Sequence, residues 1–269
     1  MKDDIRKNFS KGSKTYDDNA NVQKTMIDHL ISKLPQKSYT KILEIGCGTG
    51  LLTTRLVELF PNAKITALDI SEGMIATCKE KLKDHNNIEY ICADVEYNCP
   101  IDEFDLIISS ATFQWITDLE ELLKKLKSRL SFEGVLAFST FADKTFKELD
   151  KSLDYAFSKN NIDTKTNRNY FSKDDLKEIV DTTFKTSNFN NEIEHLKYTE
   201  YFKNALKFLK SVKAVGANTN DLAKYINPQI TKDLLDYYND NYSFKDCEKD
   251  YLGFVCASYY LLFVIIEQY

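Results

Sequence analysis

The chain has 269 residues, a net charge of −5 at neutral pH, and 43% hydrophobic and 29% charged residues. That length accommodates one α/β domain with an added cap, or two small domains. The acidic balance argues against a protein built to bind nucleic acid, and the ordinary, repeat-free composition argues against a fibrous or disordered chain.

The N-terminus, Met1 to Arg6, lacks the apolar core of a secretory signal. Residues 1–38 read as helical, with an apolar stripe of Phe9, Tyr16, Val22, Met26, Ile27, Leu30, Ile31 and Leu34. Lys41 to Ile45 is a short apolar run, as expected for a buried parallel strand. Gly46, Gly48 and Gly50 then allow a sharp turn and close approach of a ligand. Leu51 to Leu59 has helical spacing, so this loop feeds a helix N-terminus. Ile65 to Ile70 is the second expected strand, with Asp69 at its carboxyl end. Ligands of open α/β sheets bind outside those ends, where an acid accepts hydrogen bonds from ribose hydroxyls. Ile88 to Cys92 is the third strand, followed by Asp94 and Val95, and Phe104 to Ser110 is the fourth. Leu119 to Leu130 reads as an amphipathic helix and Gly134 to Phe141 as the fifth strand. This alternation predicts a parallel sheet with right-handed crossovers.

The pattern then changes. Helices are expected over Lys144 to Phe157, Ser172 to Phe184 (with Ser172 as N-cap), Phe202 to Val215 (closed by Gly216) and Thr219 to Tyr238. Ser158 to Asn169 reads as a polar loop and Glu192 to Tyr201 as the sixth strand. Tyr251 to Ile266 is largely apolar but short for a membrane span. It is expected to be the final, antiparallel strand.

Six cysteines show no C-x-x-C pair and read as reduced core residues, and the three histidines are isolated, without metal-ligand spacing. The glycine loop differs from the G-x-G-x-x-G of dinucleotide enzymes. Here it is Glu44-x-Gly46-x-Gly48-x-Gly50. With the acids that follow in order, it resembles motif I of the class I S-adenosylmethionine-dependent methyltransferases. The resemblance implies an α/β, Rossmann-like fold with a seven-stranded sheet, mostly parallel with an antiparallel last strand, plus a helical cap and lid. It also implies S-adenosylmethionine as cofactor, S-adenosylhomocysteine as product and no metal. Cofactor-binding positions carried over are Glu44, Gly46, Cys47, Gly48, Asp69 for the ribose, Ile70 and Met74 around the adenine, Asp94 and Val95 at its amino group, and Ser110 beside the active-site loop.

A narrower resemblance covers the length of the chain. Phe9-x6-Tyr16-x6-Gln23, Leu34-Pro35, Gln114-Trp115, Phe138-Ser139-Thr140-Phe141, Arg168-x-Tyr170-Phe171 and Leu209 to Ala217 look like the malonyl-acyl-carrier-protein O-methyltransferases of biotin synthesis. The loop Leu130 to Gly134 departs from that family, lacking its Pro and basic residue before the glycine. The resemblance implies a cytoplasmic carboxyl O-methyltransferase that esterifies the free carboxylate of a malonyl thioester on acyl carrier protein. A small-acid methyltransferase, such as one acting on trans-aconitate, and a non-catalytic cofactor-binding protein remain alternatives. A carboxylate needs no general base to accept a methyl group, so the acceptor residues are positioning groups: Arg168, Gln114, Trp115 and Tyr16. Tyr16 and Gln23 are expected to close over the cofactor. Lys203, Lys207 and Lys210, with Lys213 nearby, fall at i, i+4 and i+7 of the expected helix and would dock an acidic carrier, with Phe202, Leu206, Leu209 and Val212 facing inward.

The expected organisation is one methyltransferase domain over 1–269. Within it lie an N-terminal cap (1–38), a cofactor core (40–141), lid insertions (142–190 and 202–246) and a last-strand region (251–268). A monomer with no nucleic-acid or membrane partner is expected.

Overall fold

The structure is a computed structural model that describes residues 2–166, 168, 170–186, 188–216, 223–244 and 253–269. Seven strands form one sheet in the order β3-β2-β1-β4-β5-β7-β6. They are β1 (Lys41–Ile45), β2 (Lys64–Asp69), β3 (Ile88–Cys92), β4 (Phe104–Ser110), β5 (Leu130–Phe141), β6 (Phe189–Phe202) and β7 (Val255–Gln268). The first five pair in parallel, and β7 runs antiparallel between β5 and β6. Order reverses at β1, between β2 and β4, which opens a ligand crevice at the carboxyl ends of these strands.

Alternate residues of each strand feed two apolar layers. Ile42, Ile65, Leu106 and Val135 face one layer, with Met26 and Leu30 of α3 (Asn21–Ser32), Leu52 and Leu56 of α4 (Leu51–Leu59) and Ile75 of α5 (Glu72–Lys81). Leu43, Ile45, Ile107, Leu136 and Phe138 face the other, against the leucines of α6 (Leu119–Lys127) and Leu176 and Val180 of α8 (Lys173–Thr183). Burial on both faces explains why the strands read as continuous apolar runs. The cap is α1 (Lys2–Gly12) and the short α2 (Tyr16–Asn19), and α7 (Lys147–Lys159), α9 (Ala205–Ala214) and α10 (Pro228–Tyr242) form the lid.

Several expected boundaries shift, each for a local reason. The helix expected to Leu130 ends at Lys127, and β5 begins at Leu130 because Phe104 pairs there across a bulge. The helix expected from Lys144 starts at Lys147, since Lys144 and Phe146 have φ of 66° and 63°. Its last turn takes Ser158 and Lys159 out of the expected loop, whose Asn167 and Asn169 lie outside the described residues. Ser172 caps α8 in a capping box with Asp175, as the sequence suggests. The helix expected from Phe202 begins at Ala205, because the Asn204 side chain accepts from the Lys207 backbone and ends the strand first. The helix expected from Thr219 is a short 3-10 turn (Ala223–Tyr225) and then α10, with Pro228 in its first turn and Asn227 as cap. Residues 217–222 lie outside the described residues, as do 245–252 with Cys247 and the start of the expected last strand. No helix among the described residues is long and apolar enough to cross a membrane.

Candidate active site

The glycine loop leaves β1 and turns into α4. Gly46 has φ of 75°, and a Cβ there would lie 2.0 Å from the Thr112 hydroxyl, so only glycine fits. Gly48 has φ of 54°, yet a Cβ there would meet no protein atom within 4 Å. The open space above it is a cleft of about 700 Å³.

Asp69, at the end of β2, lines this cleft. One carboxyl oxygen accepts from the Gly48 backbone N–H at 2.9 Å and the other from Ser71 N–H at 2.8 Å. Burial pushes its pKa up to about 6, against the pull of these N–H groups. Tyr16, Gly46, Gly48, Ile70, Met74, Asp94, Val95, Ser110 and Trp115 line the same cleft, bringing together most of the expected cofactor residues. Cys47 and Gln23 line a smaller hollow beside it, which shares Tyr16, Gly46, Gly48 and Ser110. Glu44 lines neither. It is fully buried under the loop, on the Thr53 and Cys78 side, and neither carboxyl oxygen has a hydrogen-bond partner. The Thr53 hydroxyl lies close enough to favour the ionised form slightly, but outside hydrogen-bond geometry. Burial dominates and pushes Glu44 up to about 8, so it is neutral at pH 7.

Residues from the cap complete the cleft, and Lys2, Ile5, Thr112 and Ile116 were not singled out from the sequence. Lys2 donates to Asp94 at 3.2 Å and also to Glu96, so Asp94 is already engaged by a cation and by the Glu96 N–H. The signal was present: Lys2, Ile5 and Phe9 share one helical face. Gly73 also sits where a Cβ would lie 2.9 Å from the Ser10 Cα, so α1 presses directly on α5. The Phe9 ring meets Trp115 edge-on at 5.8 Å.

A second chamber of about 550 Å³ adjoins the first and shares Phe9, Tyr16, Ala111 and Trp115 with it. Its other walls come from the cap (Gln23), the lid (Phe146, Tyr170, Val212) and the sheet ends (Gln114, Phe141, Tyr259). None of its lining residues carries a formal charge. Burial beside Asp69 and Asp17 pushes the Tyr16 phenol well up, so it stays a neutral donor. Arg168, the expected acceptor cation, is not on the wall. It donates to Asp150 at 2.8 Å and lies over the Phe146 ring, because the half-buried Asp150 is better solvated by a cation partner.

The lysine face also departs from expectation. Lys203 precedes the cap of α9 and lies off the helix, while Lys207, Lys210 and Lys213 are on it and exposed. Of the residues expected to face inward, Phe202, Leu209 and Val212 pack against the core, but Leu206 is 45% exposed, and Ala205 and Phe208 are the fully buried positions. Cys47 and Cys78 are buried, but Cys92 is exposed and so is no core residue.

A glycine-looped sheet of this strand order, with an acid at the end of β2 facing a cleft, is that of a class I S-adenosylmethionine-dependent methyltransferase. The family model for the methyltransferase domain matches residues 42–134. The chain is 38% identical to the malonyl-[acyl-carrier protein] O-methyltransferase of Bacillus cytotoxicus, over 98% of this chain and 91% of that one. It is 41% identical to malonyl-[acyl-carrier protein] O-methyltransferase 1 of Ilyobacter polytropus, over 80% and 78%. The chain belongs to the malonyl-[acyl-carrier protein] O-methyltransferase family. Among solved structures, the YcgJ protein of Bacillus subtilis aligns with a TM-score of 0.61 at 11% identity, covering 91% of this chain and 98% of that one. Phosphoethanolamine N-methyltransferase 2 of Haemonchus contortus, solved with S-adenosyl-L-methionine, aligns at 0.57 and 16%, covering 97% and 57%. These likenesses concern the fold.

Proposed function

We propose that the protein transfers a methyl group from S-adenosylmethionine to the free carboxylate of a malonyl thioester carried by acyl carrier protein. The observation that carries the chemistry is the pair of adjoining chambers that share Tyr16 and Trp115. One has a cofactor's donors and acceptors, and the other is a neutral, largely apolar space beside it. A protein that only bound the cofactor has no use for the second chamber. The carrier part of the proposal rests on the near full-length similarity to the named relatives.

The residues present fit the cofactor. Asp69 would accept from the ribose hydroxyls, Ile70 and Met74 would flank the adenine, and the bare Gly48 leaves room at the loop. Glu44 supports the loop from beneath, and Cys47 and Ser110 border it. Asp94 would meet the adenine side together with Lys2 and Val95. When bound, the cofactor supplies an electrophilic methyl group.

The remaining work of the chain is positioning and exclusion of water. A carboxylate is ionised at neutral pH and needs no base. In a chamber without cations its charge is poorly solvated, which favours a transfer that consumes charge. Gln114, Tyr16 and Trp115 are the wall residues that would orient it. Arg168 contributes from behind Phe146, by holding the lid through Asp150. Carrier docking is assigned to Lys207 and Lys210 on the exposed side of α9. Acyl carrier proteins are acidic, so this side has the complementary charge.

The test is mass spectrometry after incubation with S-adenosylmethionine and malonyl-acyl carrier protein, with acetyl-acyl carrier protein and free trans-aconitate in parallel. A gain of one methyl on the malonyl carrier alone is expected. Methylation of aconitate alone would move the protein to the small acids, and no transfer to either would refute the proposal.

A further inference from the structure

The wall of the second chamber holds one side chain whose polarity the fold dictates. Gln114 lies in the 3-10 turn after β4, and its amide nitrogen donates to the Ala111 carbonyl at 2.6 Å. A carbonyl oxygen only accepts, so a flipped amide would set two oxygens against each other. The amide oxygen in turn accepts from the Thr140 hydroxyl at 3.0 Å. Thr140 is on β5 and fully buried. Its methyl and hydroxyl therefore have no freedom to exchange roles with solvent.

Ala111 is itself constrained. Its φ is 53°, uncommon for a residue with a Cβ, and its N–H donates to the Ser139 carbonyl on β5. The lock therefore ties the end of β4, the turn that follows and β5 into one unit. One Gln114 N–H is used on Ala111. The second has no hydrogen-bond partner among the described residues, on a residue that lines the acceptor chamber. Gln114 thus presents a donor, not an acceptor, to that space. With no charged residue on the wall, a neutral donor of fixed sense is what the wall offers to a carboxylate oxygen, which only accepts.

We infer that Thr140 is a positioning residue for the acceptor: with the Ala111 carbonyl it fixes the Gln114 amide so that its nitrogen faces the substrate carboxylate. This rests on the proposed carboxyl methylation.

The test compares Thr140→Val, which keeps the shape and loses the hydroxyl, with Thr140→Ser, which keeps the hydroxyl. KM and kcat for malonyl-acyl carrier protein are measured alongside the Kd of S-adenosylhomocysteine. T140V is expected to raise KM about fivefold to tenfold, consistent with one misdirected hydrogen bond, while Kd for S-adenosylhomocysteine stays unchanged. T140S is expected to restore KM to within about twofold of the wild type, since the donated bond remains. A wild-type KM in T140V overturns the inference, as does an equal loss in T140S or a parallel loss of cofactor affinity. Wild-type protein that binds S-adenosylhomocysteine but leaves the malonyl carrier unmethylated refutes the proposed function, and this inference with it.

Discussion

In the cofactor half of the molecule two acids at the loop, Glu44 and Asp69, are met differently from the acids of the lid half, while Asp94 in the same cleft as Asp69 is paired with Lys2. Among the described residues of the lid, each buried or half-buried carboxylate has a partner of its own. Asp150 takes Arg168, Asp233 takes Lys159, Asn160 and Gln229, and Glu148 accepts both the hydroxyl and the N–H of Ser258. Beneath the cofactor loop, Glu44 has no hydrogen-bond partner among the described residues, and Asp69 is met by backbone N–H groups, chiefly those of Gly48 and Ser71. Burial raises both acids toward neutrality. A lid stabilises itself by pairing its charges. Asp69, which lines the cleft, keeps acceptor capacity for a ligand's donors, whereas Glu44 lies beneath the loop and lines neither the cleft nor the hollow beside it.

The sharpest way to break this contrast is Asp69→Ala. Removing a carboxylate that accepts two ligand hydroxyls is expected to weaken cofactor binding more than about a hundredfold, as read by calorimetry. A loss under tenfold would show that Asp69 is a loop brace and not the ribose acceptor.

Glu44 gives the next effect, through pH. Its pKa in the fold is raised to about 8. The unfolded chain therefore loses this proton first, and stability falls as pH rises from the ordinary glutamate range toward 8. The fall is expected to amount to at most about 5 kcal/mol across that window. Glu44→Gln stays neutral and should flatten it in denaturant titrations. An unchanged slope in E44Q would place the titrating group elsewhere.

Asp69 adds a pH dependence of binding with the reverse sense. Its pKa of about 6 means that protonation competes with the ligand's hydroxyl donors as pH falls. Cofactor affinity is expected to drop about tenfold from pH 7 to pH 5. Binding that strengthens on acidification would contradict the role given to Asp69.

The smallest expected effect lies on the lid surface. Exchanging Lys207 and Lys210 for Glu should raise KM for the carrier about threefold at low salt, with the difference fading as salt screens it. Kinetics on a small malonyl thioester should be unaffected. An equal loss on both substrates would mean that the charge reversal disturbs the lid and not docking.

The two halves also differ in how far they could be read from the chain. β3 and β4 occupy the expected residues, and the glycine loop, Asp69 and Asp94 follow their strands as expected. These features depend on contacts within a few residues, because a parallel strand buried on both faces and a turn with positive φ leave plain marks in a sequence. The lid kept fewer such marks. Asn204 caps α9 and so takes Lys203 off the helix face on which it was expected, and Pro228 with the Asn227 cap sets the start of α10.

By itself the sequence determined the strand–loop–helix cofactor motif, the acid at the end of β2 and the apolar run of the final strand, because each is encoded by local periodicity and residue type, while the antiparallel sense of that strand followed from the family resemblance. Only the tertiary structure decided that Lys2 reaches Asp94 across 92 residues, that Arg168 turns to Asp150 instead of the chamber, and that Thr140 on β5 holds Gln114 after β4. Those choices depend on which buried polar groups meet across the finished sheet and lid, and unpaired burial is penalised only once the fold has removed the water.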